Sequence, residues 1–226
     1  MSNGDLAYWN HAIVLNSSEL AARYTTNFEF LFKEFAPAHT PGNHVTKVDV
    51  ALPTDHVISI GGRRVEVFFP RADKATTRLT ELLSQAKESI HFMAFQFTTG
   101  PMSAAVLERA QHGIEVRGVF ENNGACGGAY PAFLDSKKMT VSRWGLGHLD
   151  GLRNFLHHKV FIIDRKIVVI GSFNFSASAD TANDENLLIV TDPAMAEDFE
   201  EEYQLLEAVT AKTRAPAPCG AAAARP

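Results

Sequence analysis

The chain has 226 residues, 46% of them hydrophobic, 21% charged and 10% aromatic, enough apolar material for a real core; disorder, collagen and coiled coil are excluded as overall descriptions. Twenty-one Lys and Arg against 26 Asp and Glu leave a net charge of −5, so the surface as a whole lacks the basic field of a general nucleic-acid coat protein, while a local basic groove stays open. Cys126 and Cys219 stand far apart, with no further cysteine in a metal spacing, which predicts neither a disulfide scaffold nor a zinc site.

The first five residues lack a basic segment, and the apolar run 12–15 is too short for a signal core or a membrane span. The expectation is a cytoplasmic chain without a transmembrane segment. After a short strand at 12–15, Ser17 and Ser18 precede Leu20, Tyr24, Phe28 and Leu31 on one helical face, a capped amphipathic helix. Residues 36–56 carry Pro37, Pro41 and Pro53 without a sustained period and read as a linker.

From Val57 strands and helices alternate. Residues 64–69 form a strand ended by Pro70; Leu79, Leu82, Leu83 and Ala86 recur as on a helix; 89–97 is a strand. Gly100-Pro101 starts a helix that stops at Gly113, and 115–120 is a third strand. This order implies a parallel sheet with helices packed on it. Residues 121–156 hold six glycines and little period, a long functional loop with one short strand near 140–143. The apolar runs 156–163 and 167–170 flank a tight turn and read as a hairpin. Residues 186–190 make the last strand, and Asp192-Pro193 opens a final helix with Met195, Phe199, Tyr203 and Leu206 inward. The domain organisation expected is a remnant at 1–35, the linker 36–56, one domain at 57–210 and a disordered Ala/Pro-rich tail at 211–226.

The remnant is read from a repeat. Leu20, Tyr24, Phe28 and Leu31 match Met195, Phe199, Tyr203 and Leu206 at one offset, 195 − 20 = 175, and the strand 12–15 falls on 187–190 at the same offset. Residues 1–35 then resemble the close of an earlier copy.

Chemistry concentrates in His157-His158-Lys159, Asp164, Gly171-Ser172-Phe173-Asn174 and Asp184-Glu185-Asn186. Side chains alternate along a strand, so His157 and Lys159 share one face while Asp164, at odd spacing from both, points away. Gly171 lets backbone approach a ligand, and Ser172 and Asn174 offer short donors on one side of an extended stretch. Lys159 attracts an anion, the hydroxyl and amide orient its oxygens, and an imidazole attacks phosphorus or passes a proton at neutral pH. Glu185 is the carboxylate placed to hold the His157 ring in one tautomer. Nothing in this set needs a metal or other cofactor. Taken singly, each piece also reads as an ordinary surface residue or turn; the order and spacing together point to a phosphate site. Glu121, after a strand end, is a further binding candidate, and His91 reads as a hydrogen-bonded core histidine.

His157-x-Lys159-x4-Asp164, the Gly171–Asn174 segment and Glu185 resemble the HKD signature of the phospholipase D superfamily, and the resemblance extends over the upstream strands and helices. It implies an α/β fold, a mixed, largely parallel sheet flanked by helices on both faces. It also implies metal-free phosphodiester cleavage through a covalent phosphohistidine, with His157, Lys159, Asp164 and Glu185 catalytic and Ser172, Asn174 and Lys159 on the phosphate. Such enzymes oppose two HKD motifs, one His attacking and the other handling the leaving oxygen and the water. Only one motif is present here, so the resemblance implies a homodimer or a partner chain supplying the second. Three functions follow. The first is hydrolysis of phosphatidylcholine-like lipids, with Tyr130, Phe133, Trp144 and Phe155 meeting lipid. The second is nuclease action on DNA or RNA, with Arg143, Arg153, Lys159, Arg165 and Lys166 steering phosphates. The third is a non-catalytic half that completes a partner.

Overall fold

A computed structural model of the chain describes residues 9–35, 53–144, 148–149, 152–153, 155–213 and 216–220. Its elements are α1 (Ser18–Phe35), β1 (Val57–Ile60), β2 (Arg63–Phe68), α2 (Ala75–Ser84), β3 (Ser89–Ala94), α3 (Pro101–Gln111), β4 (Glu115–Glu121), α4 (Asn122–Ala125), α5 (Tyr130–Asp135), β5 (Thr140–Trp144), β6 (His148–Leu149), β7 (Leu152–Arg153), β8 (Lys159–Ile163), β9 (Ile167–Gly171), α6 (Ala177–Thr181), β10 (Leu187–Thr191) and α7 (Pro193–Lys212).

Eight strands form one sheet in the order β1-β2-β10-β9-β8-β3-β4-β5. The sheet is mixed and flanked by helices, as expected, but parallel pairing is confined to β3–β4 and β4–β5. The other five neighbouring pairs are antiparallel, so "largely parallel" is corrected. The cause is local: the β8–β9 hairpin turns on Asp164 and Arg165, both at positive φ, and enters antiparallel to β3, after which β10 returns beside β9. Alternation along the central strands then fills two cores. Phe161 and Ile163 of β8 join Leu79 and Leu83 of α2, Val106 of α3 and Phe133 of α5. Val160 and Ile162 join Leu20 of α1 and Phe199, Tyr203 and Leu206 of α7. Each fully buried Phe or Leu contributes roughly 2–3 kcal/mol by its removal from water.

Helix starts obey the cap chemistry. Ser17 Oγ accepts from the Leu20 amide at 3.1 Å, and Asp192 accepts from the Ala194 amide with Pro193 in the first turn. α1 and α7 begin 193 − 18 = 175 residues apart, the offset of the repeat. Residues 12–15 are not a strand: they run extended, half-buried and exposed in turn, but only Trp9 pairs, with Leu156.

Two further expectations are overturned. Residues 121–156 are not simply a loop: α4 and α5 form there, and Tyr130, Phe133 and Trp144 are buried, since aromatic surface of this size is driven into the core. They are therefore unavailable to lipid. Nor is the chain unstructured from 211 onward. α7 runs to Lys212, and residues 216–220 are held by a Cys126–Cys219 disulfide, Cα atoms 5.4 Å apart, and by Arg143, whose guanidinium donates to the carbonyls of Pro216 (3.3 Å) and Ala217 (2.6 Å). The pairing expected to be absent is present because folding brings together cysteines 93 positions apart. Most of the expected linker, residues 36–52, and the end of the tail lie outside the described residues.

Candidate active site

The backbone leading into His157 is gripped from both sides. The Trp9 amide donates to Phe155 O (2.9 Å) and the His157 amide to Trp9 O (2.8 Å). Leu156, fully buried, donates its amide to Glu121 Oε2 at 2.8 Å, and the Phe95 amide donates to His158 O at 2.8 Å. Alternation then parts neighbours. His158, 0% exposed, takes the side of Val160 and Ile162, while His157 and Lys159 line a cleft of about 530 Å³ with Ser172, Asn174, Glu185, Asn186, Tyr24 and His11.

The cleft lies where β8 begins, β9 ends and β10 begins. Phe173 and Phe175 are fully buried, which turns Ser172 and Asn174 outward on the alternate positions. The Phe175 amide donates to Gln96 O (3.1 Å) and Thr98 to Phe175 O (2.9 Å), fastening this stretch to the chain after β3. Ser172 Oγ accepts from the backbone amide of Asn186 (3.1 Å) and from its Nδ2 (3.3 Å), and Asn186 Oδ1 accepts from Tyr24 Oη at 3.2 Å. With its lone pairs engaged, the Ser172 hydroxyl hydrogen remains to donate. Asn174 Oδ1 is buried with no hydrogen-bond partner among the described residues. Gly171 has a role other than the one expected. At φ +152°, a Cβ would lie 2.1 Å from Asn186 O, so the glycine admits the neighbouring strand's own carbonyl rather than a ligand.

Lys159 is 5% exposed. Its Nζ donates to His157 O at 2.8 Å and stands 4.7 Å over the Phe95 ring. The same ring meets His157 edge-on, centroids 4.7 Å apart. Burial lowers the Lys159 pKa to about 8, against the opposing pull of Glu185. The ammonium is thus charged at neutral pH and discharges just above it. If it stabilises a phosphoryl anion, the rate is expected to fall as pH rises through about 8. Glu185→Gln, by removing the charge that raises this pKa, is expected to move that alkaline limb to lower pH; a pH–rate profile of both proteins checks this.

The remaining sequence candidates fall elsewhere. Asp164 sits in the β8–β9 turn, its carboxylate accepting from the amides of Lys87, Glu88 and Ser89; it ties the strand ends together and is outside the cleft. Its place in the signature is explained by holding the hairpin, and a catalytic part for it is corrected. Glu121, 2% exposed, caps α4 through the Asn123 amide and holds Leu156, so it positions the strand entering His157 and does not face ligand; burial raises its pKa. Glu185 lines the cleft and accepts from Asn183 Nδ2 at 3.1 Å. His91 is a core histidine, as expected, with Nδ1 2.8 Å from Glu200. The basic cluster disperses. Arg143 is buried against Asn122, Cys126 and the tail, Arg165 and Lys166 pair with Glu115 and Glu88 at the hairpin turn, and the Arg153 side chain lies outside the described residues.

Phe95, Tyr24 and His11 line or support the cleft without a local sequence pattern that assigns them to it. Phe95 directly follows β3, at a sheet end where sites gather. Tyr24 belongs by its spacing to the apolar face of α1, and its hydroxyl, which donates to Asn186 Oδ1, is the group that distinguishes it from the other residues of that face. His11 stands at the repeat position of Asn186, since 186 − 11 = 175, but that offset alone assigns it no task.

An imidazole and an ammonium on one face, with a hydroxyl and a carboxamide across the cleft, at the ends of the central strands of a helix-flanked mixed sheet, define a phosphodiesterase of the hydrolase class. A family model described as "Cardiolipin synthase, PLD-like domain" matches residues 79–206, and the chain belongs to this phospholipase D family. It is 24% identical over 169 residues to a phospholipase D of Rickettsia bellii, covering 75% of this chain and 78% of that one. Against a mitochondrial cardiolipin hydrolase of Xenopus tropicalis it is 30% identical over 138 residues, 61% of this chain and 63% of that one. Among solved structures, Nuc of Salmonella typhimurium, a phospholipase D family member, superposes with a TM-score of 0.56 at 28% identity over 65% of this chain and 95% of its own. NucT of Helicobacter pylori gives 0.60 at 24% identity, over 65% and 96%. Among the described residues no helix is long and apolar enough to cross a membrane.

Proposed function

We propose that the chain hydrolyses phosphatidylcholine-like phospholipids through a covalent phosphohistidine. His157 attacks phosphorus and the bond to the leaving alkoxide breaks; water then displaces the imidazole, releasing the phosphate monoester. Lys159, Ser172 and Asn174 hold the non-bridging oxygens, where negative charge grows in the transition state. The observation that carries this reading is that these four side chains line one cleft. No step draws on a metal. The leaving oxygen needs a proton, and a second His-x-Lys motif, brought by a homodimer or partner chain, is the group that would give it.

A lipid is favoured over a nucleic acid by the relatives named phospholipase D and cardiolipin hydrolase, by the net charge of −5 and by the dispersal of the arginines that would steer a polyanion. The Cys126–Cys219 bond supports an oxidising compartment in place of the cytoplasm expected from the N-terminus, since thiols stay reduced in the latter. Choline release from phosphatidylcholine vesicles and cleavage of plasmid DNA, assayed side by side with His157→Ala as control, test the substrate. Lipid turnover lost in the variant is the expected result; DNA cleavage alone would replace the lipid by a nucleic acid.

A further inference from the structure

The extended segment before α1 carries a second imidazole into the cleft. His11 lines it beside His157, Lys159 and Glu185, fixed by the Trp9–Leu156 bridge two residues earlier and by an edge contact with the Phe199 ring, centroids 5.5 Å apart. Its Nδ1 lies 3.0 Å from Nδ1 of His158. The two rings are parallel within 3° with centroids 5.3 Å apart; with the nitrogens in contact, this is two nearly coplanar imidazoles meeting edge to edge, not a face-to-face stack. One hydrogen therefore lies between them.

Its owner follows from the far end of the pair. Nε2 of the fully buried His158 stands 3.4 Å from Glu202 Oε1, out of line for a good hydrogen bond. A carboxylate repels a nitrogen lone pair there and attracts an N–H. The hydrogen of His158 is thus on Nε2, its Nδ1 accepts, and the shared hydrogen belongs to His11. Nε2 of His11 is left with a lone pair on the ring edge turned away from His158.

Resting on the phosphohistidine reading above, we propose that His11 is the base of the second half-reaction. Its Nε2 takes a proton from water as the water oxygen bonds to phosphorus, while the phosphorus–nitrogen bond to His157 breaks and returns its electron pair to that ring. Glu202, through His158, supplies the negative charge that offsets the imidazolium as it forms, and the proton then passes to solvent. The groups facing His11 agree with a neutral base. Burial, His158, Lys159 and His157 lower its pKa to about 4 while Glu202 raises it, so it is unprotonated across the neutral range.

The test uses bis(4-nitrophenyl) phosphate, whose good leaving group departs without an acid, so that the two half-reactions separate. In His11→Ala the first release of nitrophenolate is expected to persist as a burst of about one equivalent per active site. Steady turnover is expected to drop by roughly 10²-fold, the usual share of a proton-transfer group, and added imidazole should restore part of it. Glu202→Gln is expected to slow the same phase less. Unchanged turnover in His11→Ala would overturn the assignment and leave the water step to another chain's His157. Loss of burst and turnover together would assign His11 to the attack or to the fold and would equally overturn it. Absence of any burst or phosphoryl-enzyme in the unaltered protein would instead sink the phosphohistidine reading itself.

Discussion

His157→Ala is expected to lower phosphodiester turnover by at least about 10⁴-fold, the scale seen when a nucleophile is removed from a unit whose members act together. The fold should be untouched. His157 lines the cleft rather than a core, and its backbone bonds to Trp9, which the substitution keeps, anchor the segment. A chelator should have no such effect, because each step drawn above is carried by side chains. Measuring kcat/KM with a thermal melt of the same preparations separates lost chemistry from lost structure. A melt unchanged with activity gone is the expected pairing, and retained activity would move the nucleophile elsewhere.

The second large effect falls on stability. Closing residues 126 to 219 restricts the unfolded chain over 93 positions of sequence, and a loop of that length is worth roughly 4.7 kcal/mol at most in the chain-entropy account, less whatever the native geometry gives back. Replacing Cys126 and Cys219 by serine is expected to lower the free energy of unfolding by about 2–4 kcal/mol, read from denaturant midpoints. Turnover at low denaturant should be retained, because the disulfide and residues 216–220 stand outside the cleft. After the loss, Arg143 still holds the tail carbonyls, so the tail is loosened rather than freed. An unchanged midpoint would show that the two thiols are not joined.

What could be read in the sequence, and what could not, divides along physical lines. Helices α1, α3 and α7 were legible because capping residues and a 3.6-residue period are local. The β8–β9 hairpin was legible because a short polar turn separates two apolar runs. His157, Lys159, Ser172 and Asn174 were placed on the right faces by strand alternation alone. Parallel or antiparallel pairing was not legible, since the hairpin's direction of entry beside β3 is decided by packing. The Cys126–Cys219 pair and the His11–His158 contact, with partners 93 and 147 positions apart, leave no local trace. Asp164 shows a subtler failure. Its spacing to His157 carries the resemblance read from the sequence, while in the structure its carboxylate accepts from three amides of a turn and stands outside the cleft. Glu121 was rightly noticed at a strand end and wrongly expected to face ligand, because desolvation and the Leu156 amide claim it first.

The most direct trial is to mix the protein with a phosphodiester substrate, quench in alkali, where phosphohistidine survives, and map the modified peptide by mass spectrometry. The substrate's phosphoryl group should be found on the imidazole of His157. Rapid turnover with that residue unmodified, or with the group on another side chain, would contradict the account.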